Sequence, residues 1–101
     1  MAHLEPYWHP RYEDFSNKNL LTFKRAIPNI AHQQVILDHA WLVEVFNEEV
    51  VASFLNPPRE SDVLEALEKN HFIFVKSRRM LEVVNGVEEV KFCYLYSNHT
   101  K

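Results

Sequence analysis

Residues 29–56 run without proline, glycine or a turn cluster, and an uninterrupted stretch of that length favours helix over strand. Advancing 100° per residue gathers Ala31, Val35, Leu42, Val43, Phe46, Val50 and Phe54 on one face, with Gln33, Glu44, Asn47 and Glu48 largely opposite. A second pattern competes within the same residues. Valine and isoleucine are dense enough that 35–45 and 50–55 also read as two strands joined at 47–49. The helical period is the expected reading.

Residues 19–27, NLLTFKRAI, fit a short strand or a helical turn equally well, and Pro28 closes them. Pro57-Pro58 ends the long central element, after which Asn56 or Ser61 is expected to cap a short helix reaching Lys69. Val63, Leu64 and Leu67 form its inner face, and Asn70 suits its exit. Beyond His71 the period changes. FIFV, MLEVV and VKFCYLY are rich in β-branched and aromatic residues, and Asn85-Gly86 between the last two tolerates the positive φ values of a two-residue hairpin turn. That register sets Glu82 opposite Glu89, a repulsion that diagonal Lys91 would relieve. The alternative is a short helix capped by Ser77 and ending at Gly86.

Residues 1–18 hold Pro6 and Pro10 around Tyr7, Trp8 and His9, followed by Tyr12 and Phe15, and read as an extended aromatic arm. The expected fold is therefore α+β: an arm, two or three helices, then a C-terminal antiparallel meander with an Asn-Gly hairpin. A chain of 101 residues with 47% hydrophobic and 25% charged residues suits one domain, 1–101.

Composition narrows the chemistry. Gly86 is the sole glycine, so phosphate-cradling loops, dinucleotide-binding turns and the strained serine elbow of hydrolases have no material to form from. Cys93 is the sole cysteine, which forbids an internal disulfide and thiolate-rich zinc sites and suggests a reducing compartment, the cytoplasm. No leader-like segment or membrane-spanning apolar run is seen.

Histidine does not supply a metal pair either. His32 and His39 share a helical face but stand two turns apart, about 10 Å, too far for one ion. Met1-Ala2-His3 would offer a square-planar copper or nickel site only if Met1 were kept, and small Ala2 favours its removal. No metal or cofactor is expected.

Charge is uneven. Residues 30–70 carry eight carboxylates against Arg59 and Lys69, whereas residues 71–101 carry five basic residues against three acids, within a net charge of −3. Elimination leaves a non-enzymatic binding or regulatory protein, of the kind that acts as an inhibitor by occupying a surface. It would dock on a partner with a basic surface through an acidic helical face (Glu44, Glu48, Glu49, Glu60, Asp62) and the arm (Tyr7, Trp8, Arg11, Tyr12).

Two other classes compete. A winged-helix-like nucleic-acid binder would use Lys76, Arg78 and Arg79 on a basic hairpin loop, against a pI near 6.0. A small enzyme would need His39 beside a carboxylate in a pocket, although neighbouring Asp38 points away from it on a helix. In the last strand Phe92, Tyr94 and Tyr96 alternate with Cys93, Leu95 and Ser97, so both sides carry bulk. Such a strand needs cover on both sides, from the arm or from a second subunit in a homodimer.

Overall fold

The computed structural model describes residues 17–99. They form α1 (Asn17–Ala26), α2 (Ile30–His39), β1 (Leu42–Phe46), β2 (Glu49–Phe54), α3 (Ser61–Lys69), β3 (Ile73–Val84) and β4 (Val87–His99). The four strands make one antiparallel sheet in the order β1-β2-β4-β3. The class is α+β, as the patterning predicts. The arm expected at residues 1–18 lies almost wholly outside the described residues, and Asn17 and Lys18 already belong to α1.

The ambiguous segment before Pro28 is helical, burying Thr22 and Phe23 and carrying Lys24 and Arg25 at the negative end of the helix dipole. The Asn29 side chain caps α2 by accepting from the His32 N–H at 3.0 Å. Here the long central helix expected from the period stops. Ala40 turns extended (ψ 141°), and the chain becomes a hairpin whose turn residues Asn47 and Glu48 both hold positive φ, 48° and 66°. Cross-strand partners share a face, so Val43, Val45, Val50, Ala52 and Phe54 line one side of β1 and β2. Burying that valine-rich face outweighs a helical period in which Leu42 and Glu44 would have diverged.

The core forms where this face meets the helices. Phe23, Ile27, Ile36, Leu37, Val63, Ala66 and Leu67 pack over Val43, Val50, Ala52 and Phe54, with Phe72 at the edge. The short helix before Asn70 is present as expected, but its N-cap is Glu60, which makes no capping hydrogen bond; Ser61 is already helical and Asn56 lies in the preceding loop. Leu64, expected inside, is 46% exposed, and Ala66 takes its place.

FIFV and MLEVV are one strand rather than two. β3 runs through Lys76, Ser77, Arg78 and Arg79 with a single irregularity at Val75, where the register shifts between Phe74 and Lys76. The hairpin turn is at Asn85-Gly86, with φ values of 53° and 79°. Glu82 does face Glu89, and Lys91 Nζ reaches Glu82 Oε1 at 2.6 Å across the diagonal.

Element lengths then do not match. A ten-residue helix spans about 15 Å and a thirteen-residue strand about 44 Å. β2 pairs with β4 only from Tyr94 to His99, so the rest of β3 and β4 projects past the helices as a two-stranded ribbon.

Ile36 is fully buried, and Ile36→Ala should cost about 2–5 kcal/mol, read by urea denaturation. A Cβ at Gly86 would meet no atom within 4 Å, so Gly86→Ala should cost only its left-handed backbone, about 1 kcal/mol in the same measurement.

Candidate functional site: the ribbon and the His39 cleft

The register sorts the ribbon's side chains. On the face that carries the helices lie, from body to tip, Phe74 with Tyr96, Ser77 with Tyr94, Arg79 with Phe92, Leu81 with Val90, and Val83 with Glu88. On the opposite face lie Lys76 with Leu95, Arg78 with Cys93, Met80 with Lys91, Glu82 with Glu89, and Val84 with Val87. Bulk on both sides of β4, expected from its alternation, is therefore real, but the two sides differ. Cys93 is completely buried, with its thiol pushed up by loss of solvent against the smaller opposing pull of the Ser53 hydrogen bond and the Arg78 charge. The helix-side face of the ribbon is exposed at Phe92, Val90 and Val83, with Leu55 and Asn56 bordering it along β4 in an open cleft of about 370 Å³.

Phe54, Tyr96, Phe74 and Tyr94 form a run of ring contacts that leads out of the core: Phe54 to Tyr96 at 5.7 Å, Tyr96 to Phe74 at 5.5 Å and Phe74 to Tyr94 at 6.4 Å. Beyond it stand Phe92, Val90 and Val83, 50%, 53% and 43% exposed. Of the twelve large apolar side chains exposed among the described residues, eight lie on β3 and β4, and four of these, Phe74, Val83, Val90 and Phe92, are on the helix-side face. Phe92, Tyr94 and Tyr96 stand out in the sequence; Val83, beside Glu82, and Val90, between Glu89 and Lys91, do not, because apolar residues next to charged ones are ordinary in a half-buried strand.

The basic cluster does not sit on a loop. Lys76, Arg78 and Arg79 occupy the middle of β3, and strand alternation sends Lys76 and Arg78 to one face and Arg79 to the other. The acidic set is likewise divided and forms no helical face. Glu44 lies on β1 and Glu48 in the first hairpin turn; Glu49 opens β2, accepting from Ser97 Oγ at 2.6 Å with His99 at 3.6 Å. Glu60 and Asp62 stand together, at the start of α3. Tyr7, Trp8, Arg11 and Tyr12 lie outside the described residues.

Glu60 belongs to a second feature, an open cleft of about 530 Å³ walled by Trp41, Phe54, Leu55, Pro57, Pro58 and Val63, with Asp38, His39, Arg59 and Glu60 as its charged groups. His39 Nδ1 lies 2.9 Å from the Val35 carbonyl and Nε2 lies 2.9 Å from Glu60 Oε1. A carbonyl and a carboxylate both accept, so only the charged imidazole, donating from both nitrogens, satisfies both at once. Its pKa is accordingly raised above 6.5, first by the Val35 hydrogen bond and, against some desolvation, by Glu60 and Asp38.

When protonated, the imidazole donates to both neighbours and has no lone pair with which to act as a base. It instead places positive charge at the C-terminus of α2 and draws a carboxylate to the N-terminus of α3, complementing both dipoles. Asp38 accepts from Gln34 Nε2 at 2.7 Å. Among the described residues no three histidine, cysteine or acidic side chains cluster as metal ligands, and no helix is long and apolar enough to cross a membrane. No family model, curated protein or solved structure matches this chain.

Because the charged form of His39 is favoured by folding, its contribution is complete below about pH 6.5 and is lost as pH rises through the higher folded value. The His39 side chain is 36% exposed and that of Glu60 69%, so solvent screening limits the pair to under about 1 kcal/mol. His39→Gln should therefore lower stability below about pH 6.5 and cost progressively less as pH rises above it, as measured by thermal melts against pH.

Proposed function

We propose that this protein is a non-enzymatic binding protein that works by protein–protein contact, and that its contact surface is the open helix-side face of the β3–β4 ribbon. One observation carries the reading: exposed large apolar side chains are concentrated on an element that projects from the core. Contiguous apolar surface on a folded chain is unfavourable in water and is relieved when a partner covers it. Phe74, Tyr94 and Phe92 supply the rigid aromatic area that dominates binding energy at such surfaces, and Arg79 and Glu88 supply a polar rim that fixes orientation.

The ribbon replaces the acidic face as the favoured surface, because Phe74, Phe92, Val90 and Val83 share one face of one element whereas the five carboxylates are distributed over β1, the first hairpin turn, β2 and the start of α3. The nucleic-acid reading loses support for a similar reason: bases that alternate across a strand do not present one phosphate-binding face. The His39 cleft carries a histidine beside a carboxylate, but the imidazole is committed to both neighbours.

The test is a comparison of baits. Proteins captured by the wild-type chain should be lost with Phe92→Ser combined with Val83→Ser, and retained with Glu48→Lys combined with Asp62→Lys. Loss with the acidic pair alone would return the contact to the acidic residues. Retention of duplex DNA at low salt, abolished by Arg78→Ala with Arg79→Ala, would favour the nucleic-acid binder instead.

A further inference from the structure

We infer that the partner seated on the ribbon's helix-side face is a second copy of this chain, with the two ribbons packed face to face and reversed about a two-fold axis at Val90. The inference rests on the ribbon being a contact surface and says what covers it.

Symmetry is the first ground. A two-fold interface must be complementary to itself, so whatever lies a given distance on one side of its centre must suit what lies the same distance on the other. On this face Arg79 lies two residues to the body side of the Leu81–Val90 level, and Glu88 lies two residues to the tip side of it. Reversing one ribbon on another about that level brings each Arg79 to the level of the partner's Glu88. The interface then gains two equivalent opposite-charge pairs flanking an apolar centre. Moving the centre by one level toward the body sets Arg79 against Arg79 of the other copy, and by one level toward the tip sets Glu88 against Glu88. Only the Val90 level matches unlike charges on both sides.

Reach is the second ground. The face is open from the Ser77–Tyr94 level to the Val84–Val87 end, so it extends about four residues from Val90 toward the body and about three toward the turn, roughly 10–14 Å each way. A reversed ribbon fits that length, its turn stopping short of the helices that cover the sheet from Tyr96 onward. Sheets packed face to face stand about 10 Å apart, a distance that Phe92 and Val90 fill from both sides and that an arginine and a glutamate span together. Arg79 and Glu88 are exposed, and neither forms an ion pair with another described residue.

The experiment uses the full chain in sedimentation equilibrium, with far-UV circular dichroism and thermal melts confirming that each exposed-site variant stays folded. Wild-type protein should be a dimer in the micromolar range that a small interface gives. Val90→Arg, which sets like charges against each other on the axis, should be monomeric. Arg79→Glu and Glu88→Arg should each dimerise about tenfold more weakly, because each makes both flanking pairs repulsive.

Mixing these two variants is decisive, since in the mixed dimer both flanking pairs are again opposite in charge: Glu at 79 meets Arg at 88, and Arg79 meets Glu88. The mixture should recover wild-type affinity, read by labelling one variant. A monomeric wild-type protein, or a mixture no stronger than its components, would overturn the dimer. If that monomer still loses a captured protein on Phe92→Ser with Val83→Ser, the ribbon remains a contact surface and only its occupant was wrong.

Discussion

The structure turns on a mismatch of lengths. Three helices of nine or ten residues rise 1.5 Å per residue, while β3 and β4 advance more than twice as far per residue over twelve and thirteen. Such helices can cover only the end of the sheet where β1 and β2 also pair. Every buried contact among Phe23, Ile36, Val50, Val63 and Phe54 belongs to that end. What lies beyond must be a two-stranded ribbon, and the side chains on its open face meet water unless another surface arrives. The aromatic run from Phe54 through Tyr96 and Phe74 to Tyr94 joins the two regimes.

Polar groups hold the covered end in register. Gln33, buried in α2, donates to the Ile27 carbonyl at 2.7 Å and so satisfies the backbone where α1 stops. Asn70 donates to the Ala66 carbonyl at 2.7 Å as it ends α3, contacts His32 Nδ1 at 3.2 Å and accepts at its own carbonyl from Asn98 Nδ2 at 2.8 Å. One buried residue, through its side-chain amide and its backbone carbonyl, thus ties α2, α3 and the last residues of β4. The His39–Glu60 pair joins the same two helices at their other ends, from the surface. When charged, this histidine complements two helix dipoles at once, at the C-terminus of α2 and, through Glu60, at the N-terminus of α3.

Several elements were legible because their cause is local. Pro57-Pro58 can only interrupt, Asn85-Gly86 supplies the backbone freedom a two-residue turn demands, and α3 shows a compact apolar stripe over nine residues. Even the opposition of Glu82 and Glu89, with Lys91 as remedy, follows from that turn. The central segment was not legible in this way. Its helical period and its valine density were both present, and the choice between them rested on what Val43, Val50 and Ala52 would be buried against, which is not a local property. The turn there, Asn47-Glu48, carried a weak signal because a glutamate seldom adopts positive φ.

The candidate site divides along the same line. From the residues alone follow the α+β class, the second hairpin, the lack of a glycine loop or a thiolate cluster, and the excess bulk of the last strand, all of which depend on the type of a residue and its immediate neighbours. Tertiary structure decided that α2 ends at His39, that the basic cluster lies mid-strand with its charges on opposite faces, that the five carboxylates scatter, and that Phe74, Phe92, Val90 and Val83 share one open surface. Those outcomes depend on where the helices stop along the sheet, and a strand's two faces look alike in sequence until something packs on one of them.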